Sequence, residues 1–557
     1  MIPAAARSGS APVSPRDQFR DLFFSGRLLH LLLLFFAVAY ILRLFNLKFV
    51  LGDEGVAALD AWRISSGQIP HRDFFEIVPP GSFLPLALAF KLFGVSVPVE
   101  RSLVAVLALL LILSVDRLVS SYARDYWGRS LAVSVLIPFG VNYWPLPSHH
   151  WAVDLCQVAA LVCLRHGLSS PHPASWGAAA GALCAAGCFC MQDQGAYLLA
   201  ALALLFFPFV AAGSLRRRLF ASWAAGGAAV AAAFALYLLP HVPLVQLARQ
   251  WVSFPVSQYG RIPGNTGSFF AGWRAVLGFG SLGQVFADPF DNLSMIFSWT
   301  FVFLLPWLSL AVLLGLYLRK SLPRAELGLL AAGFAAFLGA ALHRWSFTNL
   351  IWAAPVPLAL AALGVSRSLA SPSVSRRTLA RLLLGGVVTS VLFYCASLMR
   401  DAGVARSFPV RARAGTLRSL VREESQILQE VVQAVEARVP EGSPLFTDGF
   451  VPLVNFLTLC PPPTRYNFVS YPVYHTESQA EEILGTLEGK QVRFALLMRP
   501  LRRENRLENY FLERFTPVWS NPVAVLLERR PGQPAQRPVP APPAPSSPAP
   551  TGAPTAR

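Results

Sequence analysis

Charge is what this sequence has least of. Only 14% of its 557 residues are Asp, Glu, Lys or Arg, while 54% are hydrophobic and the mean hydropathy is positive. A soluble chain carries about a quarter charged residues, so this composition excludes a large soluble protein and predicts an integral membrane one. Cysteine is also sparse. Of the seven, most lie inside apolar runs (Cys156, Cys163, Cys184, Cys188, Cys190), without the spacing of a metal centre or a secreted disulfide framework. They read as small buried hydrophobes. A cleavable signal is missing from the expectation too: the N-terminus is polar, and the first apolar run is too long for a signal core. The 30 acids against 47 Lys and Arg leave a formal net charge of +17. Nucleic acid is excluded as a partner, because a basic patch serving that purpose would cluster on one soluble face. Here the arginines sit between apolar runs, which is how membrane topology is signalled.

What is present is a series of apolar runs of roughly 15 to 22 residues, long enough to cross a hydrocarbon core as helices. About eleven predict true spans, near 28–47, 103–119, 130–144, 151–164, 176–191, 196–213, 219–239, 293–318, 327–342, 347–363 and 382–398. A further run, "PPGSFLPLALAFKLFGVSVP", decides the orientation of everything after it. If it does not span, the clusters Arg117/Arg124/Arg129, Arg216/Arg217/Arg218, Arg319/Lys320/Arg324 and Arg367/Arg376/Arg377/Arg381 fall on the side of Arg16, Arg20 and Arg27. If it does span, all of them move to the opposite side, against the positive-inside bias. The run is therefore expected to lie at the outer surface as a juxtamembrane helix, with Lys91 reaching the head groups. The N-terminal segment 1–27 is then cytoplasmic, and the membrane domain covers 28–400 with a first outer loop at 48–101. From about residue 413 amphipathic, water-facing patterns begin, predicting a small extracytoplasmic α/β domain of roughly 115 residues over 413–531. The Pro/Ala-rich tail, 532–557, is expected to be disordered.

This orientation puts several polar groups on the outer face. In "FVLGDEGVAALDAW", Asp53 and Glu54 close the first greasy run; a carboxylate at that boundary is costly unless paired or wet, which marks it as a functional candidate. Alternatively, Asp53 caps a helix beginning at Glu54. That helix would carry an apolar stripe of Val56, Leu59 and Trp62 that rests on the membrane surface. Glu76, in "HRDFFEIVPPG", either binds a cation or orients a hydroxyl, or is a solvated loop acid; Arg72 beside it suits a phosphate. In "PSHHWAVD", His150 and Asp154 share a helix face, with His149 adjacent; metal, phosphate or sugar contact, and plain helix capping all remain open. Gln192 and Asp193 in "CMQDQGA" suit sugar hydroxyls or simply make a polar turn. His343 and Arg344 suit an anionic head group, or anchor the interface with Trp345.

The segment "DEG", the helix ending "SSGQIP" and the stretch "DFFEIVPPGSFLPLALAFKLFGVSVPVER" resemble the first outer loop of the GT-C membrane glycosyltransferases. The likeness is to the branch of protein O-mannosyltransferases and lipid A aminoarabinose transferases. It covers most of 28–400 and is most specific over 50–101. The resemblance implies a mainly α, polytopic membrane fold and sugar transfer from a polyprenyl-phosphate-linked donor to a lipid, polysaccharide or protein acceptor. It implies an enzyme of a cell membrane, expected to be a bacterial inner membrane, with Asp53 as catalytic base and Glu54 beside it. Glu76 matches the acid before the proline element, but Ile77 and Val78 stand where some members have Lys. The donor phosphate is then left to Arg72, His149, His150, His343 or Arg344 together with Glu76, and the sugar or acceptor to Asp154, Gln192 and Asp193. No organic cofactor is expected; a divalent cation stays open. Two rival expectations are a transporter or flippase of lipid-linked sugars, disfavoured because no internal repeat is visible, and a non-catalytic envelope-assembly protein.

Overall fold

The computed structural model of the chain describes residues 26–531 apart from 124, 211–212, 258–288, 343–346, 404–406, 450 and 499–504. His343 and Arg344 thus lie outside the described residues. The membrane body comprises α1 (Arg27–Leu44), the outer-loop helices α2 (Asp53–Ser65) and α3 (Leu84–Phe93), then α4 (Val97–Ser120), α5 (Tyr126–Phe139), α6 (His149–Gly167), α7 (Pro173–Cys190), α8 (Gln192–Leu205) and α9 (Ser214–Leu238). After the short helices α10 (Leu244–Ala248) and α11 (Phe254–Ser257) come α12 (Pro289–Leu318), α13 (Arg324–Leu342), α14 (Phe347–Trp352), α15 (Pro355–Leu369) and α16 (Val374–Gly403). Among the described residues, seven helices, α1, α4, α7, α9, α12, α13 and α16, are long and apolar enough to cross a bilayer. The remaining apolar runs form α5, α6, α8 and α15, packed among them. The chain is a multi-pass membrane protein. One run is divided: the expected helix over 347–363 breaks between α14 and α15, where Pro355 and Pro357 follow. A proline inside a helix removes a backbone donor and disfavours the helical conformation of the residue before it.

The body is held by close helix contact and by paired interior charge. A Cβ at Gly181 would lie 1.8 Å from the main-chain oxygen of Trp223, so α7 and α9 approach there because no side chain intervenes. Asp116 on α4 accepts from Arg129 on α5 at 2.7 and 2.6 Å, with His30 of α1 at 3.4 Å. This satisfies charges that hydrocarbon would otherwise expel.

The disputed run forms only a single-turn 3-10 helix (Pro80–Ser82) and the ten-residue α3. At 1.5 Å per residue, α3 is about 15 Å long, half of a hydrocarbon core. It stops at Gly94, whose φ of 87° suits glycine. Lys91 is exposed on it.

The C-terminal region starts with a hairpin, β1 (Phe408–Ala412) and β2 (Gly415–Ser419), followed by α17 (Arg422–Glu436), β3 (Leu445–Thr447), α18 (Leu453–Thr458), α19 (Glu477–Gly489), β4 (Phe494–Met498), α20 (Arg506–Arg514), β5 (Phe515–Ser520) and β6 (Ala524–Arg529). The sheet order is β3-β4-β6-β5, with β3 parallel to β4 and the other pairs antiparallel. The patterns of α17, α19, β4 and β6 were visible in sequence; the hairpin, β5 and α20 were not. One expectation is corrected here. The stripe on α2 does not rest on the membrane: Leu59 is fully buried in a cluster with Val410, Leu417, Leu428, Leu453 and Leu457, with Trp62 packed against it. Gly55 makes this possible, because a Cβ there would lie 2.1 Å from the main-chain nitrogen of Leu453.

Candidate active site at the first outer helix

The N-cap of α2 is Gly52, so Asp53 and Glu54 both occupy its first turn, where the helix dipole favours negative charge. Asp53 therefore does not cap the helix, as the sequence allowed. Successive residues point about 100° apart around a helix, and these two neighbours meet opposite surroundings. Asp53 is exposed, whereas Glu54 is fully buried. The Glu54 carboxylate takes the guanidinium of Arg101 on one oxygen and the Val50 N–H, at 2.8 Å, on the other. Arg101, equally buried, donates further to the carbonyls of Pro145 (2.5 Å) and Lys48 (3.1 Å). Burial pushes the Glu54 carboxyl up and Arg101 pulls it back. This residue closes the join between the outer loop and the body.

Two turns along α2, on the face of Asp53, stands Asp60. It is fully buried, and one oxygen accepts from the Asn467 amide of the C-terminal region. Its carboxyl is held well above the ordinary range, chiefly by burial and next by the charge of nearby Glu76. Glu76 accepts the backbone N–H groups of Ile77 (2.7 Å) and Val78 (3.1 Å). Those donors favour charge on Glu76, so of the two carboxyls Asp60 is the one more strongly pushed toward its protonated form. Burial raises the Glu76 carboxyl as well, and the charge of Asp53 adds to this. The three acids thus occupy one neighbourhood. Arg63, buried beside them, donates to the carbonyl of Thr464 at 2.6 Å and lies over the Phe74 ring; burial lowers it to about 10.

His71, with φ of 67°, is buried between Trp251, whose indole N–H donates to Nε2 at 3.1 Å, and the Gln250 amide, 2.8 Å from Nδ1. Burial lowers its pKa to about 4, so the ring is neutral and pins the outer loop to the segment 244–257. Gln192 does the same, donating to the carbonyls of Ile77 and Trp251 at 3.0 Å each. Arg72 is half-exposed and paired with Asp73 at 2.8 Å. Asp193 accepts the N–H of Gln194 in the first turn of α8, and Gln194 donates to buried Asp154 at 2.6 Å. The rings of His149 and His150 are in contact at 4.3 Å but tilted by 38°, and His150 stacks on the Trp352 ring at 3.6 Å. The structure therefore gathers Asp53, Glu76 and Gln192 around the outer loop, while Asp154 and the two histidines belong to the start of α6. Among the described residues, no group of three or more His, Cys, Asp or Glu side chains is placed to hold a metal ion.

Sequence reading missed Asp60, Arg101 and Asn467. Asp60 carried a signal, since its spacing of seven from Asp53 places both on one helix face; Asn467 carried none.

The same arrangement of body, outer loop and C-terminal region recurs in solved structures. The crystal structure of ArnT from Cupriavidus metallidurans bound to undecaprenyl phosphate superposes with a TM-score of 0.53 at 14% identity, over 92% of this chain and 99% of that one. The Archaeoglobus fulgidus oligosaccharyltransferase in complex with Zn and sulfate gives 0.51 at 12% identity, over 84% and 68%. The chain has the GT-C fold. No family model and no curated protein matches the chain by sequence. The acid-rich face of α2 lies at the junction of membrane body and C-terminal region, with Asp53 as its exposed member.

Proposed function

We propose that the chain is an inverting glycosyltransferase that moves a sugar from a polyprenyl-phosphate-linked donor to an extracytoplasmic acceptor, with Asp53 as general base. The observation that carries this is the difference in exposure at the head of α2: Glu54 is sealed in the interior against Arg101, whereas Asp53 is exposed at the surface close to the buried acids Asp60 and Glu76. A polyprenyl tail keeps the donor in the bilayer, so its sugar-phosphate head lies at the interface, the level of this helix. The acceptor oxygen or nitrogen attacks C1 and forms the new bond, the C1–O bond to phosphate breaks, and Asp53 takes the acceptor's proton. The leaving phosphate needs donors or cations. His71 is held by Trp251 and Gln250 and Arg63 is committed to main-chain oxygen, so Arg72, His149, His150, His343 and Arg344 are assigned to that task, His149 as a neutral hydrogen-bonding group. Asp154, Gln192 and Asp193 serve the sugar or acceptor. The N-terminus is cytoplasmic and the C-terminal region outside. A GT-C relative bound to undecaprenyl phosphate supports the donor class.

The test is turnover of purified protein with a polyprenyl-phosphate sugar. Asp53→Asn is expected to lower transfer by about 10²–10⁴-fold, the usual contribution of a general base, without altering membrane insertion. Wild-type turnover by this variant refutes the assignment.

A further inference from the structure

A cavity of about 430 Å³ opens where the first helix of the body ends, between Leu42, Arg43, Phe45, Asn46 and Leu47 on one side and Ala402, Ser407 and Arg418 on the other. It shares no lining residue with the carboxylate cluster. Two guanidinium groups define it. Arg43, in the last turn of α1, is exposed and donates to the carbonyl of Ala402 at the end of α16, at 3.3 Å. Arg418, on β2, donates to the Ser407 hydroxyl at 3.0 Å. No carboxylate among the described residues pairs with either. Each planar fork has five donors, of which one is committed here.

The two cations are held in register by backbone. The N–H of Arg418 donates to the carbonyl of Asn46 at 3.0 Å, and its carbonyl accepts from the N–H of Lys48 at 2.7 Å. The strand bearing one arginine is thereby tied to the residues that follow the other, so a ligand meets a site already assembled.

A third feature gives the ligand a tail. Leu31, Phe35, Val38 and Leu42 are all exposed, at 49%, 74%, 40% and 63%. Their spacing of four, three and four places them on one face of α1, and that apolar strip runs along the helix to Arg43 at the cavity wall. Free phosphate would use only the cations. A phospholipid would use both, with its acyl chain along the strip and its phosphate between the guanidiniums.

We propose that this cavity binds the phosphodiester head group of a membrane phospholipid, with Arg43 and Arg418 as its cations and the exposed face of α1 as the seat of its chain.

The experiment is native mass spectrometry of the full chain released from nanodiscs containing phosphatidylglycerol, with and without inorganic phosphate. Wild type is expected to retain one phosphatidylglycerol that washing does not remove. Arg43→Gln combined with Arg418→Gln should cut its occupancy at least about tenfold, as loss of charge-assisted phosphate bonds implies. Arg43→Lys, which keeps the charge, should retain most of it. Should the double variant not fold, Arg43→Gln alone decides, since that exposed side chain gives up a single hydrogen bond. Equal occupancy in wild type and variants overturns the site. Displacement of the lipid by millimolar inorganic phosphate overturns the phospholipid assignment. Sugar transfer is not part of the readout, so this result and that for Asp53 fail separately.

Discussion

Glu54 and Asp60 sit on the same helix and are both sealed from water, yet they are accommodated by opposite means. Glu54 meets a guanidinium that also ties down two carbonyls, so its end of α2 is an ion-paired bolt between outer loop and body. Asp60 meets an amide and the charge of another acid, so its end favours the protonated carboxyl. A buried ion pair resists change because losing either partner strands a charge. A protonated carboxyl resists only while the pH supplies the proton. The catalytic candidate Asp53 opens the helix, next to the bolt in sequence and on the helix face of Asp60.

The largest expected effect comes from breaking the bolt. Arg101→Ala leaves Glu54 charged and unpaired in the interior, which costs about 3–5 kcal/mol; loss of the monodisperse peak in fluorescence-detected size exclusion is the measurement. Next comes the proton. The folded-state pKa of Asp60 is raised, so its contribution to stability is present below the ordinary aspartate range and is lost as pH rises toward the folded value. Thermal unfolding between about pH 5 and pH 8 should show stability falling with pH, and Asp60→Asn should flatten that fall by up to about 1.4 kcal/mol per pH unit. An unchanged slope would show that Asp60 is not the protonated partner. The smallest effect is expected at the amide. Asn467→Ala removes a donor to Asp60 and should cost about 1 kcal/mol, read as a small drop in melting temperature, with Asn467→Gln less damaging if the amide is what matters.

The legible part of this protein was its pattern. Apolar runs marked where helices fall, because hydrocarbon demands length and internal hydrogen bonding, and the bias of arginine to one side kept the run after Pro80 from being read as a span. The candidate acid Asp53 stood out because charge is rare here. What stayed hidden was pairing. Nothing in the residues around Arg101 or Asp60 shows the partner that each one meets. The stripe of Val56, Leu59 and Trp62 was read correctly as apolar but given to lipid, since an apolar face is the same whether a bilayer or a protein covers it.

The sequence by itself thus determined which segments leave water, and that two acids open the first outer helix. Only the tertiary structure decided which of them is buried. Glu54 finds its cation 47 positions away and Asp60 its amide 407 positions away. A charge is placed by what folds against it, and local pattern holds no record of a partner that distant.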